Sequence, residues 1–81
     1  MVVDIGGRSL AEALQRVGSD GDVVVIDDSV DRLEQLRHDC SAPNVAYLIG
    51  NEDVLPLPDD CVDAVLGVDH GDEVSRVLRS P

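Results

Sequence analysis

Two apolar runs that stop in related ways constrain this chain more than any other feature. Val2-Val3-Asp4-Ile5 closes on Gly6-Gly7, and Val23-Val24-Val25-Ile26 closes on Asp27, with a helix-patterned stretch between them. A strand ending in glycines, a helix, and a second strand ending in an acid about twenty residues on make one right-handed β-α-β crossover. Strands buried on both faces read as unbroken apolar runs rather than as alternation, so the sheet is expected to be parallel and covered by helices.

The rest of the chain continues the alternation. Ser9 and Glu12 stand at capping-box spacing, which predicts a helix starting near Ser9 with Leu10, Ala13, Leu14 and Val17 on its apolar face. Gly18-Ser19-Asp20-Gly21 ends that helix and turns into a strand over Asp22 to Ile26. A second helix from Ser29 carries Val30, Leu33, Leu36 and Cys40 as a stripe, with Glu34, Arg37 and His38 on its wet side. Ser41 to Asn44 is a loop, and Val45 to Ile49 is a strand that closes at Gly50. Two prolines exclude helix and central strand from Leu55 to Asp60, which reads as an ordered surface loop. Val62 to Val68 is expected as a fourth strand, and Asp72 to Arg79 as a last helix capped by Asp72, with Val74, Val77 and Leu78 apolar. The fold class is therefore α/β: a three-layer, Rossmann-like half-domain with a four-stranded parallel sheet and three helices, forming a single domain over residues 1–81.

Composition narrows the function. With no Phe or Trp and Tyr47 alone, the core must be built from Val, Leu, Ile and Ala. A domain this short buries only about 60% of its unfolded surface, so oligomerisation is the expected supplement to its stability. The net charge is −11, and all six cations are Arg. That field repels phosphate backbones and anionic membranes, which argues against nucleic acid and membrane partners. It also predicts greater stability in molar salt, where the carboxylates are screened from one another. No apolar run is long enough to span a bilayer, and the N-terminus enters a strand pattern without a basic leader, so a cytoplasmic protein is expected. Cys40 and Cys61 lack C-x-x-C spacing and read as free thiols. Asp69, His70 and Asp72 have no second cluster to complete a coordination sphere, so no metal is expected.

The stretch from Asn44 to Leu66, with Gly50-Asn51-Glu52, Leu55-Pro56-Leu57-Pro58-Asp59 and Val62-Asp63-Ala64-Val65, is similar almost position for position to a pattern of class I S-adenosylmethionine-dependent methyltransferases. That pattern is strand, Gly-Asp-Ala, Leu-Pro-Phe-Pro-Asp, then Phe-Asp-Ala-Val. Val2 to Gly7 resembles the first motif of the family, Val23 to Arg37 its second strand and helix, and Glu73 to Pro81 the helix end that precedes its fifth strand. The resemblance implies strand order 3-2-1-4 and S-adenosylmethionine as cofactor. Asp4 would orient the cofactor's amino-acid end, and the Gly6-Gly7 turn would let the backbone approach it. Asp27 would accept the ribose hydroxyls, a task suited to a carboxylate. Asn51 and Glu52 would sit beside the adenine. Asp28 takes the place of the apolar residue that rests on that ring, and Asn51 the place of an aspartate. Arg8 and Leu10 stand at the second and third positions of the family's glycine loop, where a side chain crowds the cofactor's path.

The chain stops where a fifth strand is expected. The resemblance therefore implies a cofactor held weakly or no longer held, no catalytic residue, and no methyl transfer by this chain alone. Asp69 and His70 follow the fourth strand where the family places substrate-facing groups; on the residues alone they read as the polar start of a helix. An apolar fourth strand, Val62 to Val68, free of Lys and Pro, seeks a partner. A homodimer through that edge and the last helix, or completion by a partner protein's sheet, is expected. Two functions stay open: a cofactor-binding domain related to methyltransferases, and a non-catalytic interaction or regulatory module that has kept the fold and lost the pocket.

Overall fold

The structure, a computed structural model, describes residues 1–18, 21–39, 43–51, 53–67 and 71–79. Expectations placed on Cys40, Glu52, Val68, Asp69 and His70 lie outside the described residues. The elements in chain order are β1 (Val2–Ile5), α1 (Leu10–Val17), β2 (Val23–Asp27), α2 (Val30–Asp39), β3 (Val45–Ile49), β4 (Ala64–Leu66) and α3 (Asp72–Val77). The strands form one parallel sheet in the order β3-β2-β1-β4. Val2 pairs with Val23 on one side and with Ala64 on the other, so β1 lies at the centre.

The valine runs explain this placement. Alternate residues of a strand point to opposite faces. Val2, Val23 and Val25 pack with Leu10, Ala13 and Leu33 of α1 and α2. Val3, Val24 and Ile26 pack on the other side with Leu55, Val62, Val74 and Val77. Two helices thus cover one face, and α3 with the Leu55 loop covers the other. Each fully buried Val or Ile contributes roughly 1.5–3 kcal/mol relative to exposure, which lets a core almost without aromatic side chains hold the sheet.

Several details differ from the sequence expectations, each for a local reason. No side-chain capping bond forms at the start of α1; the Ser9 N–H instead donates to Asp4 Oδ2 at 3.1 Å. At α2 a side-chain cap is present, with Arg32 N–H donating to Ser29 Oγ at 3.3 Å. Val30, placed on the apolar stripe of that helix, is 55% exposed.

β4 is three residues long rather than seven. Before it, Val62 turns to the sheet's outer side: its N–H donates to Val77 O, its carbonyl accepts the Arg79 N–H, both at 2.9 Å, and it pairs in parallel with Leu78. After it, Gly67 turns the chain at φ +91. The last helix is likewise shorter, with Gly71 rather than Asp72 at its N-cap, because Leu78 has already become extended. Val74 and Val77 are buried in the protein's own core, so they are not available as the dimer surface expected of that helix.

The Pro-rich segment after β3 is irregular, as its prolines require. Arg76 of α3 ties it down with all five of its N–H donors. Nε and Nη2 meet Glu73 at 2.6 and 3.1 Å, the second Nη2 donor meets Leu55 O at 2.9 Å, and Nη1 meets Leu57 O at 2.8 Å and Asp59 Oδ1 at 2.7 Å. Glu73 also accepts the Leu55 N–H at 2.9 Å. The Arg76 bonds, and then the Leu55 amide, hold the Glu73 carboxyl below its ordinary range, and the same ion pairs push Arg76 up.

Candidate functional site

In a parallel sheet the crevice opens beyond the carboxyl ends of the strands, where successive crossovers leave in opposite directions. Here β1 leads by way of α1 to β2 on one side, while β4 lies on its other side. A cleft of about 280 Å³ lies at that end, lined by Ile5, Gly6, Ile26, Asp27, Asp28, Arg32, Gly50, Asn51 and Gly67. All four strand ends contribute to it.

Asp27 is the buried acidic group among the residues lining the cleft. Its Oδ1 accepts the Ser29 N–H at 2.9 Å, and its Oδ2 lies 3.5 Å from Arg32 Nη1. Burial works against its charge. The Ser29 amide and the Arg32 guanidinium outweigh that effect and hold the carboxyl below its ordinary value. Asp27 is therefore an ionised acceptor at neutral pH. Asp28, next to it, is exposed and also lines the cleft.

Asp4 is wholly buried and lies outside the cleft lining. Its Oδ2 accepts the Ser9 N–H, while Oδ1 has no hydrogen-bond partner. Burial pushes this carboxyl up, the Ser9 amide opposes the rise, and the negative field of Glu12 on α1 adds to it. A buried carboxylate oxygen left unpaired costs free energy and calls for a reason.

The glycines divide by surroundings. Gly6, at φ +90, has open space where a Cβ would stand, and it faces the cleft. Gly7 is buried, and a Cβ there would run into Leu36 of α2, so its smallness serves helix packing. Asn51 lines the cleft, but its Oδ1 already accepts the N–H groups of Asp53 and Val54 at 2.9 and 3.0 Å. That oxygen closes the turn after β3, which leaves the amide NH₂ as the group a ligand would meet. Arg8, the residue at the second glycine position, is exposed.

Of the residues expected at a site, Gly6, Asp27, Asp28 and Asn51 come together in the cleft, Asp4 and Gly7 lie behind it, and Glu52 falls outside the described residues. Sequence reasoning missed Arg32 and Gly67. The signal for Arg32 was available, since a cation in the first turn after a strand-ending acid is within reach of it. Among the described residues no group of His, Cys, Asp and Glu is arranged to hold a metal ion, and no helix is long and apolar enough to cross a membrane.

Comparison with known proteins agrees with this fold. No family model matches the chain. Over 98% of its length it is 34% identical to the ubiquinone/menaquinone biosynthesis C-methyltransferase UbiE of Yersinia enterocolitica, and 29% identical to that of Pectobacterium carotovorum. It spans 36% of the length of each of these relatives. Among solved structures it superposes on a SAM-dependent methyltransferase from Aquifex aeolicus with a TM-score of 0.75, at 26% identity, covering 96% of this chain and 50% of that one. A chain from the Haloferax volcanii complex of the Trm112 methyltransferase activator with a methyltransferase gives 0.74, at 26% identity, with 96% of this chain and 40% of that one covered. The chain is methyltransferase-like in sequence and carries part of the class I S-adenosylmethionine-dependent methyltransferase fold.

Proposed function

We propose that residues 1–81 act as one methyltransferase-like domain that holds the adenosyl part of S-adenosylmethionine in the cleft and does not transfer its methyl group unaided. The observation that carries this reading is Asp27, nearly buried, kept ionised, and set at the switch point of the sheet. In this reading Asp27 accepts the ribose hydroxyls, Gly6 admits the ligand to the backbone at the end of β1, and Asp28 and Asn51, with Glu52, border the adenine. Asp4 supplies a carboxylate for the cationic amino-acid end. Asp4 lies behind the cleft, so it would act through a bridging water, and its unpaired oxygen fits that role because the water's donor would complete its hydrogen bonding. When bound, S-adenosylmethionine supplies an electrophilic methyl group; none of the residues named here is given a part in its transfer. A free Cys61 thiol is in keeping with a cytoplasmic protein.

Calorimetric titration with S-adenosylmethionine and S-adenosylhomocysteine tests the reading. Saturable heat that disappears in Asp27→Ala supports it. No heat from the unmodified protein at millimolar ligand refutes it.

A second reading, a protein-interaction or regulatory module, is supported by the outer edge of β4. Leu78 and Arg79 begin a parallel pairing beside Val62, and Ala64 to Leu66 have no partner on that side among the described residues. A strand added there, from a second copy or from another protein, would extend the sheet. The Haloferax neighbour, in complex with an activator protein, makes a protein partner a reasonable extension of the methyltransferase reading. Light scattering at tens of micromolar, in dilute and molar salt, tests the homodimer form, and a monomer under both conditions would sink it.

A further inference from the structure

Asp27 is not left bare by its surroundings. Its side chain is 7% exposed, Ser29 takes one oxygen, and Arg32 stands at the other. Arg32 sits in the first turn of α2, where its backbone is pinned by the Ser29 cap. Side chains on a helix lean toward its N-terminus, which brings the guanidinium back over the strand end. The contact is long, at 3.5 Å, and the Arg32 side chain is 53% exposed, so it is held loosely. Among the described residues Arg32 is also the one cation that lines the cleft.

We propose that Arg32 is a displaceable counter-charge for Asp27: it occupies part of the carboxylate edge that a ribose diol needs, and so lowers the affinity of the cleft for nucleosides by competition. The inference rests on the reading of the cleft as an adenosyl site and names the residue that tunes it. The two Asp27 contacts have different parts. Ser29 orients the carboxylate through a backbone N–H that a ligand has no reason to displace. Arg32 holds the remaining edge through a mobile side chain that yields to hydroxyls of the right spacing. A half-exposed ion pair is weak, so the competition is worth about fivefold at most. A hydroxyl donor can replace the guanidinium because an ionised carboxylate accepts from either.

The test is Arg32→Ala, with Arg16→Ala on α1 as the control that makes the same change in net charge. Arg16 pairs only loosely with Glu12, at 4.0 Å, and does not line the cleft. Two quantities are read. One is the dissociation constant for S-adenosylhomocysteine, which has no net charge and so does not respond to the overall field. The other is the titration of the Asp27 carboxyl by NMR, which reports the contact whether or not anything binds. The proposal expects Arg32→Ala to bind about two- to fivefold more tightly and its Asp27 to titrate at higher pH, with Arg16→Ala unchanged in both. Weaker binding by Arg32→Ala, with Asp27 shifted, would show that Arg32 contacts the ligand and overturn the competition. An unmoved Asp27 would show that the contact is absent and overturn it also. A shifted Asp27 with no binding by any of the three proteins would instead fail the adenosyl reading, and the nucleoside competition with it.

Discussion

Gly6 and Gly67 allow a steric claim to be separated from a conformational one. Both have φ near +90, so an alanine at either position meets a similar backbone penalty, about 1–2 kcal/mol. Their surroundings differ. A Cβ on Gly6 enters open space, whereas a Cβ on Gly67 collides with the carbonyl oxygen of Ile5. That oxygen belongs to the backbone of β1 and cannot rotate aside, so the carboxyl ends of β1 and β4 must move apart. Overpacking of this kind adds about 1–3 kcal/mol, for a total near 2–5 kcal/mol at Gly67. A domain of this length has roughly 4–12 kcal/mol of stability at about 0.05–0.15 per residue, so the second substitution removes a large part of it. Thermal unfolding of Gly6→Ala and Gly67→Ala, followed by circular dichroism, measures the difference. At about 4–8 °C per kcal/mol, the two melting temperatures should differ by roughly 5–20 °C, with Gly67→Ala the lower. Equal costs, or a greater loss at Gly6, would refute the close approach of β4 to Ile5. Gly6→Ala should also weaken ligand binding while it stays folded, because its new methyl group stands in the cleft.

Three further outcomes follow from the same structure. Asp4 has a raised carboxyl, so its neutral form contributes stability that is complete below the ordinary value of 3.8 and is lost as pH rises through the folded value. Asp4→Asn should accordingly gain about 1–3 kcal/mol at pH 7, an advantage that shrinks toward pH 4 in thermal melts across that range; a variant less stable at both ends would contradict the burial account. Arg76→Lys keeps the charge but cannot reach Glu73, Asp59 and two carbonyls with five donors, so limited proteolysis should cut first in the Leu55 to Asp60 segment, and an unchanged cleavage pattern would show that the segment does not depend on Arg76. With a net charge of −11, the melting temperature should rise between dilute and molar KCl, and a flat profile would mean that carboxylate repulsion is not a significant term.

The strand ends were the most legible part of the chain. Val2 to Ile5 and Val23 to Ile26 are buried or half-buried parallel strands, and Val45 to Ile49 is a parallel strand at the sheet edge with Ala46 and Ile49 exposed; β1 and β3 have the expected limits. Asp27 was legible for the same reason, because an acid that ends a buried strand must stand at the crevice. β4 was less so. Val62 belongs to an apolar run, yet its backbone pairs outward with Leu78, a long-range contact that no local period encodes. Asn51 lines the cleft, but its oxygen accepts the N–H groups of Asp53 and Val54 and closes its own turn, a pairing that residue type alone does not reveal. Arg32 and Arg76 were missed because long cationic side chains are chosen by what lies within their reach in space, while a sequence reading assigns them to solvent.

A titration of the ¹⁵N-labelled protein with S-adenosylhomocysteine, read residue by residue, tests the cleft most directly. The account predicts saturable shifts centred on the backbone amides of Gly6, Asp28, Ser29, Gly50, Asn51 and Gly67, with the amides of α1 and α3 little changed. Absence of shifts at millimolar ligand, or shifts centred on Ala64 to Leu66 and α3 instead, would contradict it.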